Sequence, residues 1–275
     1  MVPTTLPVGG DVVSGEGSAS PNLKDVLRSY GDSKIFGESY GQGPVRVVWL
    51  HGWARRGDDF TLAASELADR SIASVTLDMP GFGASPPPEM AGGARHYAEL
   101  VIPVLREISS DPIVLVGHSF GGRVATVIAS THPDLVRALV LTGVPLIRLA
   151  PASKSPITYR LVRWLHARGV VSDKTIEAAR QKYGSTDYRR AEGVMRDVLV
   201  ANVNESYERE LSTIQAPVAF VWGENDTVVP TLVAQSASSM LQGESTLAVF
   251  ANVGHLLPLE APEELAKVVE KAVQR

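Results

Sequence analysis

Val116-Gly117-His118-Ser119-Phe120-Gly121-Gly122 reads Gly-x-Ser-x-Gly. Just before it lies Pro112-Ile113-Val114-Leu115-Val116, a short apolar, β-branched run of the buried-strand kind. Just after it, Val124, Val127 and Ile128 recur at helical spacing. Strand, tight glycine turn, helix is the context in which such a serine sits on a strained elbow with its hydroxyl projecting from a sheet. The residues two before and two after the serine then come close together, and glycine suits both because it has no Cβ. The competing reading is a glycine-rich connection with a passive serine, and the residues downstream argue against it.

The chain has 275 residues, enough for one large domain or two small ones, and at 44% hydrophobic it can bury a sizeable core. Its net charge of -4 does not suggest a nucleic-acid partner. The absence of cysteine excludes disulfides, a thiol nucleophile and zinc–thiolate sites, and it fits a reducing compartment. No run reaches the length of a membrane span, and the N-terminus lacks the basic segment and apolar core of a signal peptide. The expectation is a cytoplasmic protein. Residues 1–22, rich in Gly, Ser, Pro and Thr without periodicity, read as a flexible tail.

Strands are expected at 33–40, 45–50, 72–77, 136–141, 218–222 and 246–250 besides the one before Ser119. Helices are expected at 97–108, near 232–241 and from Ala261 onward, with Asp58 or Asp59 capping another that runs through Leu67. Strands alternating with helices imply a parallel sheet covered on both faces. Between about 148 and 211 no good strand appears. Leu161, Trp164 and Leu165 form one helical stripe there, and Met195, Val198, Leu199 and Val203 another. The expected division is a core of 23–147 and 212–275 with a helical insertion at 148–211.

A serine hydroxyl needs a base, and the base needs an orienting acid. In the order Ser, Asp, His, each partner should follow a late strand. Gly223-Glu224-Asn225-Asp226 follows the strand ending at Trp222, and Val253-Gly254-His255 follows the strand ending at Phe250. Asp226 and His255 therefore fall on loops at the same sheet edge as Ser119. Among the rival imidazoles, His118 should point away from the serine, His51 should shape the oxyanion loop and His132 sits near a helix end; His96 and His166 are the others. Asp78 reads as a turn brace and Glu224 as a competing acid. A tetrahedral intermediate needs two N–H donors. One is the backbone N–H of Phe120 at a helix start, and the other should come from the loop after Leu50.

Through His51-Gly52, Gly117-x-Ser119-x-Gly121, Gly223-x-x-Asp226-x-x-x-Pro230 and Gly254-His255, the chain resembles the α/β-hydrolase superfamily from about residue 33 to its end. The resemblance implies an α/β fold with a mostly parallel eight-stranded sheet flanked by helices, and a helical cap inserted after the sixth strand. It also implies that the second oxyanion donor is the backbone N–H of Trp53. Some members carry the acid after the sixth strand, but here that position reads Thr142-Gly143-Val144, which favours Asp226.

A serine at the elbow argues against dehalogenases and epoxide hydrolases, which use aspartate there. No His-Glu-x-x-His run suggests a metal. The leading expectation is a carboxylic-ester hydrolase, extending to thioesters, with Ser119, Asp226 and His255 as the catalytic triad and no cofactor. A carbon–carbon bond hydrolase of the meta-cleavage type and a ligand-binding receptor on the same fold are the alternatives. The expected partner is a small-molecule ester. Residues 148–197 hold eleven bases against five acids, so an anionic acyl carrier is a sharper expectation. The His51-Gly52-Trp53 loop resembles that of pimeloyl-carrier-protein methyl ester esterases, whose caps also present arginines, although Phe120 stands where those often carry an aliphatic residue.

Overall fold

In this computed structural model, residues 26–32, 34–148, 162, 164–166, 168–183 and 186–275 are described. The expected tail at 1–22 lies outside them, as do Lys154, Arg160, Leu161 and Arg163.

Eight strands form one sheet in the order β1-β2-β4-β3-β5-β6-β7-β8. They are β1 (Val26–Tyr30), β2 (Ile35–Tyr40), β3 (Val45–Leu50), β4 (Ala73–Asp78), β5 (Ile113–His118), β6 (Val136–Thr142), β7 (Val218–Gly223) and β8 (Ser245–Phe250). β1 and β2 are antiparallel to their neighbours, and β4, β3, β5, β6, β7 and β8 run parallel. The eight-stranded, mostly parallel sheet expected from the motifs is therefore present. β1 is an addition to the sequence reading, which places no strand before residue 33.

The central strands are mainly apolar because helices cover both faces, with Arg46 and Arg137 near the starts of β3 and β6 the exposed exceptions. On one face Val48, Leu50, Leu115, Leu139 and Leu141 pack with α2 (Ala94–Ile108) and α3 (Phe120–Thr131). On the other, Val47, Trp49, Val114, Val116 and Val140 pack with α1 (Thr61–Asp69) and the C-terminal helix. Residues alternate between the two cores with the period of two that a strand imposes. Each fully buried Leu or Val contributes about 1.5–3 kcal/mol.

Between β6 and β7 the described elements are helices: α4 (Asp173–Tyr183), α5 (Thr186–Arg190), α6 (Gly193–Asn204) and α7 (Glu208–Leu211). α8 (Thr231–Ser238), α9 (Leu257–Glu260) and α10 (Pro262–Val273) follow. Two local readings change. Neither Asp58 nor Asp59 caps α1; a 3-10 turn at Gly57–Phe60 leads into it, and Arg55 holds Asp59 in a two-pronged ion pair. In the α6 stripe Val198 and Leu199 are buried, whereas Val203 is exposed.

α6 is attached to the sheet domain at both ends. Near its start, Met195 packs on the Gly81 backbone so closely that a Cβ on Gly81 would overlap its thioether, and the Tyr97 hydroxyl lies 3.8 Å from Met195 Sδ. At its end, Arg123 Nη1 donates to Asn202 O (2.7 Å) and Asn202 Oδ1 (2.9 Å). Arg123 lies one turn past Ser119 on α3 and is largely buried. Burial lowers its pKa.

Candidate active site

β5 delivers Ser119 at the junction with α3, with φ 48° and ψ -109°. A non-glycine residue at positive φ costs about 1–3 kcal/mol and persists only where its surroundings hold it. Here Ser119 N donates to Thr142 O (2.9 Å) and Gly121 N to His51 O (3.0 Å), tying the elbow to β6 and to the end of β3. The glycines follow from this crowding. A Cβ on Gly117 would run into the Gly122 backbone, and one on Gly121 would run into the Leu50 and His51 carbonyls. The obstacle at Gly121 is thus the end of β3 rather than Gly117, a cross-strand contact that motif spacing does not reveal.

Asp226 and His255 meet on the loops after β7 and β8. His255 Nδ1 donates to Asp226 Oδ2 (2.8 Å), and Asp226 Oδ1 accepts the N–H groups of Val228 (2.9 Å) and Val229 (2.8 Å). Burial pushes the Asp226 carboxyl up, but the His255 hydrogen bond, the His255 charge and the two N–H donors outweigh it and hold the pKa below the ordinary carboxylate value. An ionised Asp226 keeps the proton on Nδ1, which leaves Nε2 free to accept one. His255 lies against Gly143, where a Cβ would sit 2.9 Å from its Cε1, just past the carbonyl that binds Ser119 N. Among the described residues Ser119 Oγ makes no hydrogen bond to His255, and such contacts often tighten only when substrate is bound.

His51 is fully buried between two backbone groups. Its Nε2 accepts the Met79 N–H (3.0 Å), so the proton is on Nδ1, which donates to Gly52 O (2.7 Å). Burial lowers its pKa. In a trans peptide the N–H opposes the C=O, so holding Gly52 O toward His51 turns the Trp53 N–H the other way. Among the described residues neither the Trp53 N–H nor the Phe120 N–H donates to another group. The Trp53 ring stands edge-on to Phe82 and Phe120, at 5.1 and 5.7 Å.

The rival residues have other work. Asp78 Oδ1 accepts Gly57 N and Oδ2 accepts Ala84 N, both at 2.8 Å, bracing the loops around it. Glu224 is exposed. His96, His132 and His166 pair locally with Glu99, Thr131 and Asp173. His118 is closer to the chemistry than its position suggests. It is buried, its Nδ1 lies 3.1 Å from Thr142 O, and its ring centroid is 5.0 Å from that of His255. Burial first, then the His255 charge, pushes its pKa down to about 3, so it stays neutral beside the candidate base. Glu260 is a second residue that motif reading passes over. It accepts the N–H groups on both sides of His255.

A cleft of about 330 Å³ opens beside Trp53. Trp53, Phe82 and Met195 form its apolar walls, and Asp187, Arg190 and Glu192 its charged rim. Several cations between β6 and β7 are engaged internally. Arg196 pairs with Glu177 (2.8 Å), Arg148 donates to Val203 O (2.9 Å), and the Arg168 guanidinium stacks 3.6 Å from the Trp164 ring. Among the described residues no group of three or more His, Cys, Asp or Glu is placed to hold a metal ion. Among the same residues no helix is long and apolar enough to cross a membrane.

A strained serine elbow on a mostly parallel sheet, together with a hydrogen-bonded His–Asp pair on the loops after β7 and β8, points to one large family. The alpha/beta hydrolase family profile matches residues 47–268, and the chain belongs to that family. Over 223 residues it is 30% identical to the pimeloyl-[acyl-carrier protein] methyl ester esterase of Chromobacterium violaceum, spanning 71% of this chain and 81% of that one. An uncharacterized hydrolase of Bacillus subtilis is 25% identical over 256 residues, spanning 85% of this chain and 92% of its own. The structure of a thermophilic esterase from Thermogutta terrifontis agrees with a TM-score of 0.66 at 20% identity, covering 90% of this chain and 97% of the other, a likeness of fold.

Proposed function

We propose that this chain is a serine hydrolase that cleaves carboxylic esters, thioesters included, through an acyl-enzyme on Ser119. The observation that carries the reading is the Asp226–His255 pair. The acid is ionised and saturated by donors, and the base has its proton fixed on Nδ1. His255 Nε2 takes the Ser119 proton as Oγ attacks the ester carbonyl. The N–H groups of Phe120 and Trp53 stabilise the oxyanion that forms. The imidazolium gives its proton to the leaving alcohol, and His255 then activates water to release the acid. No step needs a cofactor. The esterase relative from Chromobacterium violaceum supports ester cleavage over the carbon–carbon and receptor alternatives.

Residues 148–211 are the cap over this site in our reading, on a core of 23–147 and 212–275. The cap selects the group attached to the ester, and an anionic acyl carrier is the partner that its excess of bases would attract. The carrier-linked ester named for the Chromobacterium violaceum relative supports this. Such attraction acts on encounter rate and fades with salt.

The test is fluorophosphonate labelling and ester turnover by the wild type and Ser119→Ala. The variant should keep its fold and lose both labelling and about a thousandfold or more of the rate; a variant that still labels refutes the assignment. For the carrier, kcat/KM is compared between a neutral ester and the same acyl group on an acidic carrier protein, at low and high ionic strength. A carrier preference that disappears with salt is expected, and identical salt profiles exclude it.

A further inference from the structure

The segment that carries His255 has little secondary structure to hold it. Upstream, the bonds Glu224 N to Phe250 O and Asn225 N to Val253 O, both 2.9 Å, tie the two late loops together and stop at Val253. Downstream, α9 begins at Leu257, which is fully buried. Between these anchors lie Gly254, His255 and Leu256. Glu260 spans this gap. Its Oε2 accepts Gly254 N (2.6 Å), its Oε1 accepts Leu256 N (3.0 Å), and its own N–H donates to Leu256 O (3.0 Å).

We propose that Glu260 is a positioning residue for the base: by gripping the peptide groups on both sides of His255 it fixes where the imidazole stands, while Asp226 fixes how the ring is turned. This deepens the acyl-enzyme reading and rests on His255 being its base.

Two carboxylates therefore hold one histidine at opposite ends. The hydrogen bond to Asp226 sets the direction of Nδ1, but a single bond leaves the ring free to pivot about the carboxylate. The position of the residue's Cα must be set separately, and the bonds to Gly254 and Leu256 do that. Glu260 is exposed, so its charge is screened and its contribution is geometric. Gly254 fits the same arrangement, because a Cβ there would sit 3.2 Å from both Glu260 oxygens.

A carboxylate reaching back to the N–H groups before a helix also resembles a simple helix cap. A cap that only stabilises the fold would change the amount of active protein and leave each active molecule unaltered. A displaced base would slow each active molecule, since a shift of about 1 Å costs up to about 100-fold. It would also slow esters of poor leaving groups most, because those alkoxides depend on a proton from His255.

The experiment uses Glu260→Ala and Glu260→Gln in the full chain, with Ser119→Ala and His255→Ala as references. Active sites are titrated with a fluorophosphonate to completion. Then kcat and KM per titrated site are measured for a p-nitrophenyl ester and for an alkyl ester of the same acid. For Glu260→Ala, kcat should fall about 10- to 100-fold with KM within about twofold, and the loss should be larger for the alkyl ester. Glu260→Gln keeps one acceptor and should fall in between, and it carries the test if the alanine variant does not fold. Wild-type kcat per titrated site in Glu260→Gln, or equal losses for both leaving groups, overturns the proposal. If His255→Ala and Ser119→Ala are inactive while the Glu260 variants turn over normally, this proposal alone fails. If His255→Ala keeps wild-type turnover, the acyl-enzyme reading itself fails.

Discussion

Replacing Asp226 by asparagine tests the site through a single proton. The side chain is 1% exposed, and each of its oxygens has a defined task. Oδ1 accepts two backbone N–H groups and Oδ2 accepts the His255 Nδ1–H. An asparagine must put its carbonyl oxygen where two donors converge. Turning the amide over would set its NH2 against the N–H groups of Val228 and Val229 and forfeit both bonds, about 1–3 kcal/mol each. The total of about 2–6 kcal/mol corresponds to a bias of at least about 30-fold. The amide NH2 then faces His255 Nδ1, which must become the acceptor, and the ring proton moves to Nε2. A base protonated on the nitrogen that should take the Ser119 proton cannot act, and the imidazolium also loses its charge partner. The expected loss in kcat is about 10³- to 10⁴-fold, or about 4–5.5 kcal/mol in barrier height. The assay is kcat/KM for an activated ester, with circular dichroism and Tm to show that the fold is kept. A variant within about tenfold of wild type refutes the reasoning, as would a larger loss in Asp78→Asn or Glu224→Gln.

Gly121→Val places a branched side chain against the Leu50 and His51 carbonyls, where both obstacles are backbone and the Gly121 N–H to His51 O bond is at stake. A loss of about 2–4 kcal/mol in denaturant unfolding is expected, and a soluble, fully active variant of unchanged midpoint contradicts the tight elbow. His118 has a pKa of about 3 when folded, against an ordinary value of 6.5. The unfolded chain therefore takes up a proton that the native one refuses, and the associated stability is full above pH 6.5 and lost progressively toward pH 3. In His118→Gln the fall of Tm across that window should be shallower than in the wild type; parallel curves would show that His118 is not held neutral.

The parts of the site legible in the sequence are those where one residue's backbone chemistry announces itself. β5 is an apolar run and β3 one interrupted only by Arg46, and both end in glycine-marked turns, so Ser119 and the Trp53 loop could be placed. Asp226 and His255 could be placed because each follows a late strand at the same sheet edge. β1 was not legible, because an outer strand with Tyr30 as its described buried side chain carries too little alternation to register. Asp59 looked like a helix cap because the alternative, an ion pair to Arg55, depends on how the chain turns after Gly52. The sequence says of His118 only that it should point away from Ser119, and nothing there brings it to His255. Its closeness to His255 depends on β6 lying beside β5, so that the loop after β8 folds over Gly143. Glu260 was invisible as more than a helix residue, since its role lies in bonds to peptide groups rather than in any side-chain pattern.

The double attachment of α6 bears on how this scaffold could be re-engineered. Arg123 emerges from α3 one turn past Ser119 and ends on Asn202, while Gly81 receives Met195 about 10 Å earlier along α6, at the 1.5 Å rise of a helix. A chimera whose junction falls inside α6 separates these two fastenings and leaves a buried guanidinium facing a foreign backbone. A junction before Gly193 keeps both, so the chain ahead of α6 can be exchanged without loosening either fastening while α6 itself travels with the recipient. Grafts divided in these two ways should differ first in soluble yield, before any substrate is offered.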